Sequence, residues 1–309
     1  MTRPDPVAAG LLAGYLLDRL LGDPRRGHPV AVFGGWAGQV ERVLHRPDRG
    51  AGVAATATAL APLVAAGLAA RRLGPSGQVV VTTAVAWAAL GGTSLAREAS
   101  AVHDLLARGD LPAARVRVRH LVGRRTDDLA ADEVARAAVE SVAENTSDAV
   151  VGTLVWGAAL GPLGVLLHRG ANTLDAMWGH RSERYAAYGW SAARLDDLLG
   201  WVPARATVLA TTAAGAGAGT PPSSVVRTAL TDGRDHPSPN AGPVEAGFAA
   251  ALGVRLGGRN DYAGQVEERG HLGQGPPPTV ADIPRATALA GRVGAVTLAG
   301  AVLLRSLRR

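Results

Sequence analysis

Uncharged apolar runs separated by polar, arginine-rich stretches set the pattern of this chain. Residues 51–70 carry no charge and are interrupted only by Pro62, which membrane helices tolerate, so they predict a spanning helix. A second is predicted over 78–96, and the short link from Arg71 to Pro75 makes the two an antiparallel hairpin. Residues 149–167 and 286–304 predict two more membrane segments. Residues 7–17, ended by Asp18 and Arg19, and residues 202–220, which contain Arg205, predict weaker ones. Gly161-Pro162 interrupts the 149–167 run. As one crossing it would separate the polar residues on its two sides; as two half-helices folded back at the Gly-Pro step it keeps them together. The folded-back form is the expectation, since broken helices persist where they line a cavity.

The polar stretches complete the prediction. Residues 21–50 read as a loop broken at Gly22-Asp23-Pro24, and 97–148 as a charged, water-facing helical stretch. Thr126 is the expected N-cap of a helix from Leu129 onward. Residues 245–256 predict a helix, and the proline-rich 270–284 segment a linker. The expected fold is all-α: one polytopic helical membrane domain over residues 1–309 with polar loops. No period of solenoid or propeller type is present, and the short 7–17 run lacks the features of a cleaved signal peptide.

Composition sharpens this picture. Hydrophobic residues make up 47% of the chain and charged ones 19%, which favours membrane embedding over two soluble domains. There is no cysteine, so disulfides and thiolate metal sites are excluded. Every one of the 32 cationic residues is Arg, which removes Schiff-base chemistry and the P-loop lysine. The net charge of +6 suits cytosolic positive loops better than nucleic acid, because aromatics are only 4%. Arg42, Arg46, Arg49 and Arg97 outnumber Arg71 and Arg72, which places 21–50 and 97–148 in the cytosol and the chain in the cell membrane.

Candidate chemistry concentrates between Val139 and Trp201. Glu140, Glu144 and Asp148 are spaced i, i+4, i+8, which puts three carboxylates on one helical face. That face is either a solvated acidic stripe or, with Asn145 and Thr146 beside it, oxygen ligands for a hard cation such as Mg2+. Downstream come Asn172, Asp175, Arg181, Glu183, Arg184, Arg194 and Asp197, whose arginine forks suit phosphate or carboxylate. Arg194 and Asp197 can equally pair with each other. Asp23 and His28 flank the first break, where a turn is the plain reading. The proline-stiffened loop around Asp235, His236, Ser238 and Asn240 is a ligand-contact candidate, and Gly257-Gly258 before Asn260 allows close backbone approach.

The runs ESVAENTSDAVVGTL, NTLDAMWGHRSERYAAYGWSAARLDDLLGWVPAR and HPSPNAG, with the early LLGDPRRGHPV and the late GVRLGGRNDYAG, resemble the adenosylcobinamide-phosphate synthases of cobalamin biosynthesis. The resemblance covers about Leu17 to Gly273. It departs where similar proteins read NAGWPEA and this chain has Asn240-Ala241-Gly242-Pro243-Val244-Glu245-Ala246. It implies a polytopic membrane ligase that uses ATP and Mg2+ to join an aminopropanol, free or as its O-phosphate, to a side-chain carboxylate of adenosylcobyric acid. For that reaction, residue type assigns the roles: Glu140, Glu144 and Asp148 would help hold Mg2+-ATP. Arg181, Arg184 and Arg194 would meet phosphates, and Asp175, His236 or Glu245 would be the base. Asp23, His28, Asn145, Asn172, Glu183, Asp197, Ser238, Asn240 and Asn260 would contact substrate. The implied partners are the corrinoid, aminopropanol phosphate, the lipid bilayer and other cobalamin-pathway enzymes, with no nucleic acid. A membrane transporter, and a scaffold for corrinoid-processing enzymes without turnover, are the alternatives; two matched halves, which would favour transport, are absent from the sequence.

Overall fold

The computed structural model describes residues 5–24, 27–180, 182–216, 220–262 and 265–308, without the side chains of residues 260–268. Its helices are α1 (Pro6–Leu21), α2 (Pro29–Leu44), α3 (Arg49–Ala70), α4 (Pro75–Leu90), α5 (Gly92–Ala107), α6 (Leu111–Val118) and α7 (Ala131–Asn145). A π-helical turn, Thr146–Val151, leads into α8 (Gly152–Leu160) and α9 (Pro162–Trp178). After α10 (Trp190–Ala216) and α11 (Pro222–Thr231), a 3-10 turn, Asp232–Asp235, precedes α12 (Ala241–Leu252). Strands β1 (Leu256–Tyr262) and β2 (Gln265–Leu272) pair antiparallel before α13 (Asp282–Leu307). Among the described residues three stretches are long and apolar enough to cross a membrane: α3, α4 with α5 (Pro75–Ala107), and α13. The protein is thus an all-α polytopic membrane protein with one small β-hairpin.

The chain divides into two compact units. Unit 1 comprises Met1–Gly91, Asp148–Pro203 and Leu298–Arg309. Within it α1 lies directly on α4, because Gly10 and Gly14 present no side chain there: a Cβ would stand 2.5 Å from Thr82 Cβ and 2.7 Å from Ala86 Cβ. Small residues of this kind let membrane helices approach at backbone distance. A second packed layer joins α2, α3, α9 and the start of α10 around buried Ala37, Ala59, Leu174, Trp178 and Tyr188. Helices α8 and α9 form an antiparallel hairpin that turns at Gly161, whose φ of 66° suits glycine, with Pro162 opening α9. This is the expected fold-back of the 149–167 run.

Unit 2 comprises Gly92–Ser147 and Ala204–Thr297. Helix α7 is its centre: from Val134 to Ala143 only Arg136 escapes full burial. The expectation of a water-facing 97–148 stretch is therefore corrected at α7, whose alanine-rich turns pack on every side.

Other expectations change in detail. Helix α1 does not end at Asp18; it runs to Leu21 with Asp18 buried inside it. The predicted 21–50 loop contains α2, opened by Pro29 and capped by His28, whose Nδ1 accepts from Val30 N at 3.1 Å. The second span breaks at Gly91, where φ is 65°. Thr126 does not cap α7: its hydroxyl donates to Arg115 O at 2.8 Å, while Glu133 accepts from Ala130 N at the helix start. Part of the predicted 270–284 linker, and the Gly257-Gly258 approach, belong to the β-hairpin.

Candidate functional site

In unit 1 the candidate chemistry gathers around Asn172 on α9. Its Nδ2 donates to Asp148 Oδ2 at 3.3 Å, and its Oδ1 accepts from Arg169 Nη1 at 3.1 Å. The Arg169 guanidinium lies in the field of Asp148, Asp23 and Asp196. Burial, then the charges of Asp148 and Asp175, push the Asp196 carboxyl well above its usual range, and Asn172 donates a hydrogen bond to it. Asp175, one turn beyond Asn172, is also raised, first by burial and then by Asp197. Gly179 lies so near that a Cβ on it would stand 1.9 Å from Asp175 Oδ1. The arrangement holds more carboxylate than guanidinium, so it suits a cation or an ammonium group.

The remaining sequence-predicted residues of unit 1 stand as follows. His28 Nε2 lies 3.9 Å from Asp23 Oδ1. Arg184 is engaged by Glu41, which accepts from its Nη2 at 2.9 Å, from Tyr185 Oη at 2.9 Å and from Trp178 Nε1 at 3.2 Å. Burial opposes the Glu41 charge, but these donors hold its carboxyl below the usual range. Glu183 is exposed. Arg194 Nη1 sits 3.6 Å from Asp197 Oδ2 on the exposed side of α10, a loose surface pair. Arg181 and the Asn260 side chain lie outside the described residues.

In unit 2 the acids take a different form. Both oxygens of Glu140 are engaged: Oε2 by Arg124 Nη1 at 2.9 Å, and Oε1 by Arg136 Nη1 at 3.4 Å and by Gly257 N at 2.9 Å. Arg136 also donates to the Gly257 carbonyl, so this buried ion pair ties α7 to β1. The single α-helical face expected for Glu140, Glu144 and Asp148 is corrected, because α7 ends at Asn145 and the π-helical turn that follows contains Asp148. Glu140 and Glu144 belong to unit 2 and Asp148 to unit 1. Among the described residues no three His, Asp or Glu side chains form a group able to hold a metal by themselves. Asn145 folds back on its own helix, donating to Ser141 O at 2.9 Å.

Glu245 is fully buried on α12, and among the described residues neither carboxylate oxygen has a hydrogen-bond partner. His236 Nε2 stands 3.8 Å from Glu245 Oε1, while its Nδ1 accepts from Ser238 N at 3.0 Å. Burial, then Glu140 and Glu144, push the Glu245 carboxyl well above its usual range. Ser238 Oγ accepts from Ala241 N, the first residue of α12, at 3.1 Å, and Asn240 Oδ1 accepts from Arg205 Nη1 at 3.0 Å. In the expected ligand-contact loop His236 is buried and Ser238 and Asn240 are half-buried at the start of α12, while Asp235 is exposed.

Sequence reasoning passed over Arg169, Glu41 and Arg136 and gave Asp196 no role, while Arg124, which it offered to phosphate or to a solvated face, is buried against Glu140. A single Arg closing the apolar 149–167 run, three residues before Asn172, was the available signal for the first.

The family described as CobD/Cbib protein matches residues 11–290. A protein of Mycobacterium tuberculosis strain H37Rv named "Cobalamin biosynthesis protein CobD" is 46% identical over 303 residues, covering 98% of this chain and 97% of its own length. Its namesake in Chromobacterium violaceum is 46% identical over 302 residues, covering 94% and 95%. That of Rhodobacter capsulatus is 38% identical over 293 residues, covering 91% and 92%. No solved structure matches. Matched over nearly its whole length, the chain belongs to the CobD/Cbib family.

Proposed function

We propose that this protein acts in cobalamin biosynthesis as an ATP-dependent ligase, joining aminopropanol, free or O-phosphorylated, to a propionate carboxylate of adenosylcobyric acid to give the cobinamide product. The relatives' names support the pathway. The observation that carries the chemistry is the Asn172 junction, where Asp148 and Asp196 share one amide next to Arg169.

A carboxylate does not condense with an amine unaided. Transfer of the ATP γ-phosphoryl group to the corrinoid carboxylate gives an acyl phosphate and ADP. The amine then attacks the acyl carbon, phosphate leaves, and one proton passes to a base. Mg2+ fits the donor set, since it takes one or two protein carboxylates and completes its shell with phosphates and water. Asp148 and Asp196 would hold it, and when bound it supplies charge neutralisation at the ATP phosphates. Asn172 orients both carboxylates. Arg194, loosely paired and exposed, is free to turn to a phosphate, whereas Arg184 is committed to Glu41.

Asp175 is the base in this reading. It is partly exposed and its carboxyl is raised, which moves it toward the range useful for proton transfer. Glu245 and His236 are closed off from solvent, which leaves them less able to exchange a proton with substrate. The active loops would face the cytosol of a cell membrane. Purified protein in lipid, incubated with adenosylcobyric acid, aminopropanol phosphate, ATP and Mg2+, is expected to give an amide product by mass spectrometry, with ADP and phosphate released. A folded preparation that binds the corrinoid yet forms no amide rejects the ligase and favours a scaffold.

A further inference from the structure

Helix α13 is apolar enough to cross a bilayer, yet it carries Arg292, about 15 Å from its first residue at 1.5 Å rise per residue. An arginine inside such a stretch is rare and is satisfied by an anionic group, by backbone carbonyls or by reaching the interface. Among the described residues no carboxylate meets this one. Arg292 is exposed, and its Nε only donates back to Ala288 O at 3.4 Å.

Beside it lies a cavity of about 320 Å³, lined by Gly215, Ala251, Leu252, Ala288, Arg285 and Arg292. Arg285 is fixed: it pairs with Asp282 and donates to Leu252 O at 2.8 Å. Asp282 in turn accepts from Thr279 N at 2.8 Å. One guanidinium is therefore neutralised and the other is not, which leaves the cavity with a single net positive charge against walls of small and aliphatic side chains. A soluble anion would leave water to enter this stretch. A phospholipid brings its phosphate at the interface and an acyl chain for the apolar wall.

We infer that this cavity is a binding site for an anionic glycerophospholipid, its headgroup phosphate on Arg292 and an acyl chain along Ala251, Leu252 and Ala288. The inference is independent of the ligase reading. It makes a bound lipid part of unit 2.

The test uses the full chain purified in mild detergent, exchanged with phosphatidylglycerol or phosphatidylcholine and read by native mass spectrometry. Wild type is expected to retain phosphatidylglycerol preferentially. Arg292→Gln should lower that retention about fivefold, the equivalent of one cationic contact, while Arg292→Lys keeps most of it. Ala288→Leu, which fills the cavity and leaves the charge, should also release the lipid and decides the matter if Arg292→Gln does not fold. Equal retention of the two lipids, wild-type retention by Arg292→Gln or Ala288→Leu, or displacement of the lipid by inorganic phosphate would each overturn the inference.

Discussion

Arg124 and Glu140 form an ion pair at 2.9 Å in which both side chains are almost wholly buried, 3% and 5% exposed. Removing one partner of such a pair leaves an uncompensated charge, at a cost of about 3–5 kcal/mol. Glu140→Ala should therefore lower the thermal midpoint in detergent by an amount that does not change with Mg2+ concentration. A loss that appears only in the presence of Mg2+ would return Glu140 to the metal-ligand role.

Glu245 gives a pH prediction of fixed sign. Its folded-state carboxyl is raised above the ordinary 4.5, so the folded protein holds the proton more tightly than the unfolded chain. Its contribution to stability is complete below 4.5 and is lost as pH rises toward the folded-state value. Glu245→Gln, permanently neutral, should gain stability over wild type as pH rises from 4.5 to 8, and match it below 4.5. Melting curves across that range test this, and a flat difference would mean that Glu245 is charged in the fold.

Asp175→Asn should lower the rate of amide formation about a hundredfold, in keeping with the loss of a general base. KM for the corrinoid should be little changed. Gly179→Ala should do similar damage without touching the carboxylate chemically, because its methyl would take the space of Asp175 Oδ1. Single-turnover amide formation from preformed acyl phosphate separates this step from phosphoryl transfer; normal rates in both variants would move the base elsewhere.

Asn172→Ala tests the metal assignment one step removed from the ligands. Loss of a side chain that orients metal-binding carboxylates weakens metal affinity by about 10–100-fold. The Mg2+ concentration for half-maximal activity should rise accordingly, with saturated activity partly recovered. An unchanged Mg2+ requirement would detach Asp148 and Asp196 from the cation.

Much of the fold was legible because the membrane helices announce themselves by lacking charge. Residues 51–70 and 286–304 fall inside α3 and α13, and Gly161-Pro162 marks the turn between α8 and α9. Helix α2 was hidden by Gly34, Gly35 and Gly38, which lower local helix propensity while tertiary packing against α3 and α9 overrides it. The β-hairpin was hidden because Gly257, Gly258 and Gly270 read as loop until their positive φ values place them in a bulged pair of strands.

The candidate site was legible in composition and less so in grouping. Asn172 and Asp148 were both singled out, but the π-helical turn that carries Asp148 leaves no trace in residue spacing, so an i+8 relation was read where none applies. Burial decided the rest: the same Glu that looks like a ligand on an exposed face becomes an anchor once Arg124, Arg136 and Gly257 N surround it.

The turn at Gly161 also bears on parity. Helix α8 has 9 residues and α9 has 17, or about 14 and 26 Å of rise, each shorter than a hydrocarbon core of about 30 Å. Wherever this pair meets a bilayer, a segment that turns back adds zero to the number of crossings, which keeps Asp148 on the same side as Asn172, its hydrogen-bond partner. Under the proposed ligase reading, nucleotide, amine and corrinoid would then be drawn from a single aqueous pool, and turnover would need no solute to traverse the bilayer.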